Sequence, residues 1–215
     1  MARLKVNTLS GIGTEGPVLN GGLHFRSENY LTLPKGDKAQ RGRGRGVIAG
    51  GCTPLTSSID YFNIQSQGNS IKFGSLQSGA IFGNQMCASS TRGISGGGAQ
   101  PSVRNFLDFI TIATESNSTD FGDLSAAKQL CQGVSSSTRG VVAGGDNSGA
   151  VNVIEFITIA SAGNATDFGD LSSISEYAGS SGGSNKIRGV FTGRGDYPSY
   201  DNAMSYITIA TEGNA

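Results

Sequence analysis

Thr91-Arg92-Gly93-Ile94-Ser95-Gly96-Gly97-Gly98 returns as Thr138-Arg139-Gly140-Val141-Val142-Ala143-Gly144-Gly145, and this recurrence decides the fold. An earlier copy reads Gly44-Arg45-Gly46-Val47-Ile48-Ala49-Gly50-Gly51, and a later one reads Ile187-Arg188-Gly189-Val190-Phe191-Thr192-Gly193. The arginines Arg45, Arg92, Arg139 and Arg188 are therefore spaced by 47, 47 and 49 residues. Self-similarity at a fixed period specifies a modular architecture before local propensity matters.

Two further modules follow each copy. Asp60-Tyr61-Phe62-Asn63-Ile64 recurs as Asp108-Phe109-Ile110-Thr111-Ile112, Glu155-Phe156-Ile157-Thr158-Ile159 and Ser205-Tyr206-Ile207-Thr208-Ile209. Asn69-Ser70-Ile71-Lys72-Phe73-Gly74-Ser75-Leu76 recurs at Asn117–Leu124 and Asn164–Leu171, and a fourth copy begins at Gly213-Asn214-Ala215. Short apolar runs between turn-formers predict four strands per repeat. In the third repeat they are strand a (Gln129–Ser136), strand b (Arg139–Gly145), strand c (Val153–Ala160) and strand d (Thr166–Leu171). The period matches that of a four-stranded propeller blade. Alternation in strand c places Phe156 and Thr158 on one face and Ile157 and Ile159 on the other, so apolar groups are expected between stacked blades.

Composition agrees. Thirty-four glycines, no Trp and few charges disfavour long helices. Sixteen basic and sixteen acidic side chains cancel, so no overall field favours nucleic acid or an anionic membrane. No run approaches the ~18 apolar residues of a membrane helix, and Met1–Ser10 lacks the apolar stretch of a signal peptide. Cys52, Cys87 and Cys131 are odd in number and have no CxxC spacing, which argues against a disulfide framework or zinc knuckle.

The double glycine closing strand b, followed by an aromatic strand c, resembles kelch repeats, although Phe73, Phe121 and Phe168 stand where a strand d Trp is usual. The chain also resembles virion structural and fibre-associated proteins of phages infecting cyanobacteria. That resemblance rests on a leader at Gly11–Val18, Asn29–Gly36 and Arg41–Gly46, and on the repeats behind it. It implies an all-β, kelch-like propeller of about four blades, located in the virion and acting through protein contacts.

Residues 29–215 are expected to form the propeller, and residues 1–28 an arm with Gly and Pro breakers that anchors it to other virion proteins by strand addition. The last repeat lacks strand d. Asn29–Pro34 reads as a stray strand d, so Tyr30, Leu31 and Leu33 are expected to pair with Tyr206–Ile209 and close the ring, with Lys38–Gly44 as strand a of the first repeat; the rival reading is that the chain is a fragment of a longer protein or that other chains supply the missing strand.

Among chemically suggestive groups, the single His24 cannot build a histidine metal site and has no nucleophile signature beside it. No metal or cofactor is expected, and no catalytic residue is assigned. Ser118-Thr119-Asp120-Phe121-Gly122 resembles a sialidase Asp-box turn, but Ser125 stands where Trp is required; Asp120 and Asp167 are expected to hold turns through Asx hydrogen bonds. The Arg41–Gly46 run could tether nucleic acid, yet Arg45 belongs to the repeated set. Arg45, Arg92, Arg139 and Arg188 are expected to form a structural series pairing with turn acids or carbonyls.

The b–c loops vary between repeats while the strands do not, which is where recognition usually resides. Asp196, Tyr197, Pro198 and Tyr200 in the last loop are the candidate contact residues, for a sugar face or a neighbouring protein. The reading is a non-enzymatic virion component present in several copies. The alternative is a receptor-binding or lectin-like module for host surface glycans. A glycosidase would need converging carboxylates, whereas the acids here occupy repeated turn positions.

Overall fold

The computed structural model describes residues 44–64, 66, 68–175, 182–196 and 199–215. Among them there are strands and no helix. Repeat 1 contributes β1 (Arg45–Ala49), β2 (Ser58–Asn63) and β3 (Ile71–Ser75). Repeat 2 contributes β4 (Gln85–Ala88), β5 (Arg92–Gly96), β6 (Phe106–Thr111) and β7 (Thr119–Asp123). Repeat 3 contributes β8 (Gln132–Ser135), β9 (Arg139–Ala143), β10 (Val153–Thr158) and β11 (Thr166–Asp170). Repeat 4 contributes β12 (Gly183–Ser184), β13 (Arg188–Asp196) and β14 (Ser199–Thr208). The expected Tyr30–Leu33 strand, the arm and all but the last residue of Lys38–Gly44 lie outside the described residues.

Each repeat is one antiparallel meander, and its strands pair in chain order. The two inner repeats form complete a-b-c-d sheets, whereas repeat 1 shows b-c-d and repeat 4 shows a-b-c. Strands c and d share one register shift in the three sheets that contain both, between Ile59/Asp60, Leu107/Asp108 and Ile154/Glu155. A bulge at one repeat position increases local twist and re-aims the next side chain.

The core lies between successive sheets, so each inner sheet buries both faces, one on each neighbour. Ile59, Phe73, Leu76 and Ile81 meet Ile110 between repeats 1 and 2. Ile94, Leu107, Phe121 and Leu124 meet Val142, Ile157 and Ile159 between repeats 2 and 3. Val141, Ile154, Phe168 and Leu171 meet Phe191, Ile207 and Ile209 between repeats 3 and 4. Strand c thus faces the core through Ile154, Ile157 and Ile159, with Phe156 half-buried and Thr158 exposed.

The a strands lie side by side. Ser135 Oγ accepts from Ala88 N at 3.3 Å, and Ser184 Oγ accepts from Ser135 N at 3.1 Å. A cavity of about 270 Å³ is lined from all four repeats, including Arg45 and Val47 of the first and Gly182 and Ser184 of the last. The array therefore curls, bringing its first and last sheets to one common space.

Repeat 4 corrects the expected loop at Asp196–Asp201. In the other repeats two positive-φ glycines end strand b, as at Gly97 (63°) and Gly98 (100°) or Gly144 (64°) and Gly145 (109°), and this breaks the ladder. In repeat 4 only Gly193 (65°) remains, and Arg194 follows it. The ladder resumes after one irregularity, pairing Gly195 with Tyr200 and Asp196 with Ser199. Asp196 and Tyr200 are thus strand residues, while Tyr197 and Pro198 lie outside the described residues.

Candidate functional site

The most elaborate chemistry lies at the junction between one repeat and the next, which the fold builds three times. Its first component is the repeated arginine near the start of strand b. Each guanidinium lies over the aromatic ring of its own strand c: Arg45 over Tyr61 at 4.3 Å, Arg92 over Phe109 at 4.6 Å, Arg139 over Phe156 at 4.3 Å. From that platform it donates to backbone carbonyls of the next repeat's c–d loop. Arg45 reaches Ile112 O at 2.9 Å, Arg92 reaches Ile159 O at 3.1 Å and Ala160 O at 2.9 Å, and Arg139 reaches Ile209 O at 3.4 Å. Glu115 and Glu212 add ion pairs to Arg45 and Arg139 at 3.0 and 3.2 Å.

A planar fork stacked on a ring and aimed at carbonyls suits arginine and not lysine. Arg92→Ala is expected to cost about 1–2 kcal/mol, the loss of a cation–π contact and two carbonyl bonds. Arg92→Lys should recover less than half of this in urea unfolding, because an ammonium cannot stack and fork together.

The second component is an asparagine clasp. The c–d loop of each following repeat lies along the preceding strand d. Its asparagine Oδ1 accepts from that strand: Asn117 from Ser75 N at 3.0 Å, Asn164 from Asp123 N at 3.1 Å, Asn214 from Asp170 N at 3.0 Å. Backbone bonds flank the clasp, with Gly163 N donating to Phe121 O at 2.7 Å and Gly213 N to Phe168 O at 2.8 Å. Contact is so close that a Cβ on Gly122 would stand 2.5 Å from Gly163 O. Asn117 and Asn164 are thus parts of the junctions.

Asp120 and Asp167 are a second correction. They stand exposed inside β7 and β11, opposite Asp108 and Glu155, and not at a turn. The clasp asparagines of the loops bond to strand d, which is already extended when Asp120 and Asp167 are reached.

The third component is a buried acceptor on strand c that receives the turn after the preceding strand d. Asp108 Oδ2 accepts from Ser78 N and Oγ at 3.1 and 2.8 Å, Glu155 Oε1 from Ser125 N at 2.7 Å, and Ser205 Oγ bonds Ser172 Oγ at 3.1 Å. At the middle junction Glu155 also pairs with Lys128, both nearly sealed from solvent at 1% and 3% exposure. Burial alone would raise the Glu155 carboxyl, but the Lys128 ammonium and the Ser125 hydrogen bonds outweigh it and hold it below its ordinary value. The sequence reading missed this pair. Its one signal was a lysine, Lys128, in a turn whose repeat-3 counterpart is Ser175.

Cys87 and Cys131 are buried in the junctions, and burial pushes both thiols up to about 12, so they stay protonated at neutral pH. Among the described residues no group of three His, Cys, Asp or Glu side chains is placed to hold a metal.

Repeat 4 carries half of a junction. Arg188 stacks on Tyr206 at 5.0 Å, but among the described residues it donates to no further repeat. Beside it, Tyr206, Ile207, Thr208 and residues 211–215 line a groove of about 400 Å³ along the outer edge of β14. Among the described residues β14 pairs only with β13.

The fold and junctions define an all-β tandem-repeat protein with interlocked sheets. Compared with known protein families and with curated proteins, the chain matches none.

Proposed function

We propose that the chain is a kelch-like β-propeller of four blades serving as a rigid, non-enzymatic interaction scaffold in the virion of a phage that infects cyanobacteria. The observation that carries the scaffold reading is the threefold junction: a guanidinium fork, an asparagine clasp and a polar strand c side chain, a carboxylate at two junctions and the Ser205 hydroxyl at the third, join each sheet to the next. Conserving these contacts over three junctions favours rigidity over motion between sheets. The cavity shared by all four repeats supports a ring, and the leader and repeat sequences support the virion location. Tyr30–Leu33 supplies the closing strand, and residues 1–28 tether the domain to other virion proteins.

The extended β13–β14 hairpin favours a second reading, in which a host surface glycan is recognised at its tip, around Tyr197 and Tyr200. Its paired strands run 9 and 10 residues, against 5 and 6 for the b and c strands elsewhere. Density-gradient fractions of purified cyanophage particles, analysed by mass spectrometry, test the first reading. Co-sedimentation at constant stoichiometry supports it, and recovery only from free lysate protein overturns it. Saturable binding of the isolated chain to host envelope polysaccharide, lost in Tyr197→Ala/Tyr200→Ala, favours the glycan module.

A further inference from the structure

We propose that the junction between repeats 1 and 2 binds one structural water molecule, held by Ser95, Asp108 and Ser118, in the role that the Lys128–Glu155 pair has at the next junction. The inference is independent of the virion reading and rests on residues inside the array. Ser95 and Asp108 stand opposite each other on β5 and β6, and both are buried, at 3% and 4% exposure. Cross-strand neighbours of this kind hold their β-carbons about 5 Å apart on one face. With Ser118 they line a small internal cavity of about 10 Å³, whose other walls include Ile59, Leu76 and Ile110.

Each polar wall has one bonding position to spare. Asp108 Oδ2 accepts from Ser118 Oγ at 3.0 Å and from Ser78 N and Oγ, whereas Oδ1 has no donor among the described residues. Ser95 Oγ accepts from Asn84 Nδ2 at 2.7 Å, and its own proton meets no acceptor among the described residues. Ser118 Oγ accepts from Gln77 N at 2.7 Å and donates to Asp108, which leaves one lone pair. A buried carboxylate oxygen or hydroxyl proton without a partner is costly. One water serves all three groups: it accepts from Ser95 and donates to Asp108 Oδ1 and Ser118 Oγ. A single water needs a cavity of about 10–15 Å³ and makes about three bonds when buried. A Mg²⁺ or Ca²⁺ ion would need about six oxygens or more, which these largely apolar walls do not supply.

The next junction shows the same place without the water's partners. Val142 stands at the Ser95 position, again opposite the strand c carboxylate, Glu155, and Ala165 stands at the Ser118 position. That carboxylate is longer by one methylene, and the Lys128 ammonium pairs with it. At the Lys128 position of the first junction stands Ile81: Gly51 N donates to Ile81 O as Gly98 N donates to Lys128 O. The ammonium is therefore missing where the two serines occur, and the serines are missing where the ammonium occurs. The water completes a bonded chain that starts at Ala49 O in repeat 1, passes through Asn84 and Ser95 to Asp108, and returns to Ser78 after strand d of repeat 1.

The test uses the full-length chain. Magnetic relaxation dispersion of water oxygen-17 counts long-lived internal waters, and Ser95→Val, which copies Val142, is expected to lower the count by one. In urea the same variant is expected to raise the unfolding equilibrium constant about tenfold, because Asp108 Oδ1 loses its donor. A high-resolution crystal structure of the parent is expected to show the water about 2.7–3.0 Å from both Ser95 Oγ and Asp108 Oδ1. An unchanged water count in folded Ser95→Val overturns the proposal. So does a more stable Ser95→Val, which is the result of filling a dry cavity. Density that joins Ser95 Oγ directly to Asp108, or that shows a cation ringed by oxygens, also overturns it, and this readout needs no variant.

Discussion

Glu155→Ala is expected to lower the unfolding free energy by about 3–5 kcal/mol, because it leaves the Lys128 ammonium buried at 3% exposure with its counter-charge gone. For a domain of this size that is a fall of roughly 10 °C in Tm. Lys128→Met/Glu155→Leu should recover most of the loss, since a buried pair replaced by apolar groups of similar volume costs little. The pair also sets an acid limit. Glu155 titrates lower in the folded chain than its ordinary 4.5. Its contribution is therefore complete above the ordinary carboxylate range and disappears as pH falls through the lower, folded value. Urea midpoints measured from pH 7 to pH 3 should decline more steeply for the parent than for the apolar double variant. Equal slopes would assign the acid sensitivity to other carboxylates.

How much of this was legible in sequence follows from what repeats and what does not. Strands b, c and d of repeat 3 fall inside the ranges that the alternation predicted, with their ends shortened by one or two residues. A side-chain period of two, bounded by Gly and Asn, leaves little freedom. The role of Arg92 was partly legible: recurrence marked it as structural, but its carbonyl partners lie 67 and 68 residues away in the next module. Spacing alone cannot show such a cross-repeat contact. Asp120 was misplaced because Asx-turn chemistry is judged locally, whereas Asn164 of the following repeat, 41 residues on, caps Asp123. The hairpin of repeat 4 turned on one substitution, Arg194 for the second glycine, which converts a ladder break into a ladder with one irregularity. Glu155 stands at the repeated position of Asp60 and Asp108, but its partner Lys128 belongs to a different repeat and has Ser175 as its counterpart, so recurrence gave no sign of the ion pair.

Gly122→Val separates two things that a glycine supplies at the clasp. Gly122 has φ +144° and a following-repeat carbonyl, Gly163 O, 2.5 Å from where a Cβ would stand. Gly149, in the b–c loop of repeat 3, has nearly the same φ, +145°, with nothing within 4 Å of its Cβ position. Gly149→Val therefore carries backbone strain alone, about 1–3 kcal/mol. Gly122→Val adds overpacking against backbone that cannot rotate away, about 1–3 kcal/mol more. The difference between the two variants, measured by urea unfolding, is the cost of prising repeat 3 from repeat 2. A difference above about 1 kcal/mol, with Arg92 and Asn164 bonds weakened in hydrogen exchange of the repeat 3 c–d loop, means the sheets are locked by close backbone contact. Equal effects would mean the loop moves aside freely, and the clasp would then position the sheets without holding them.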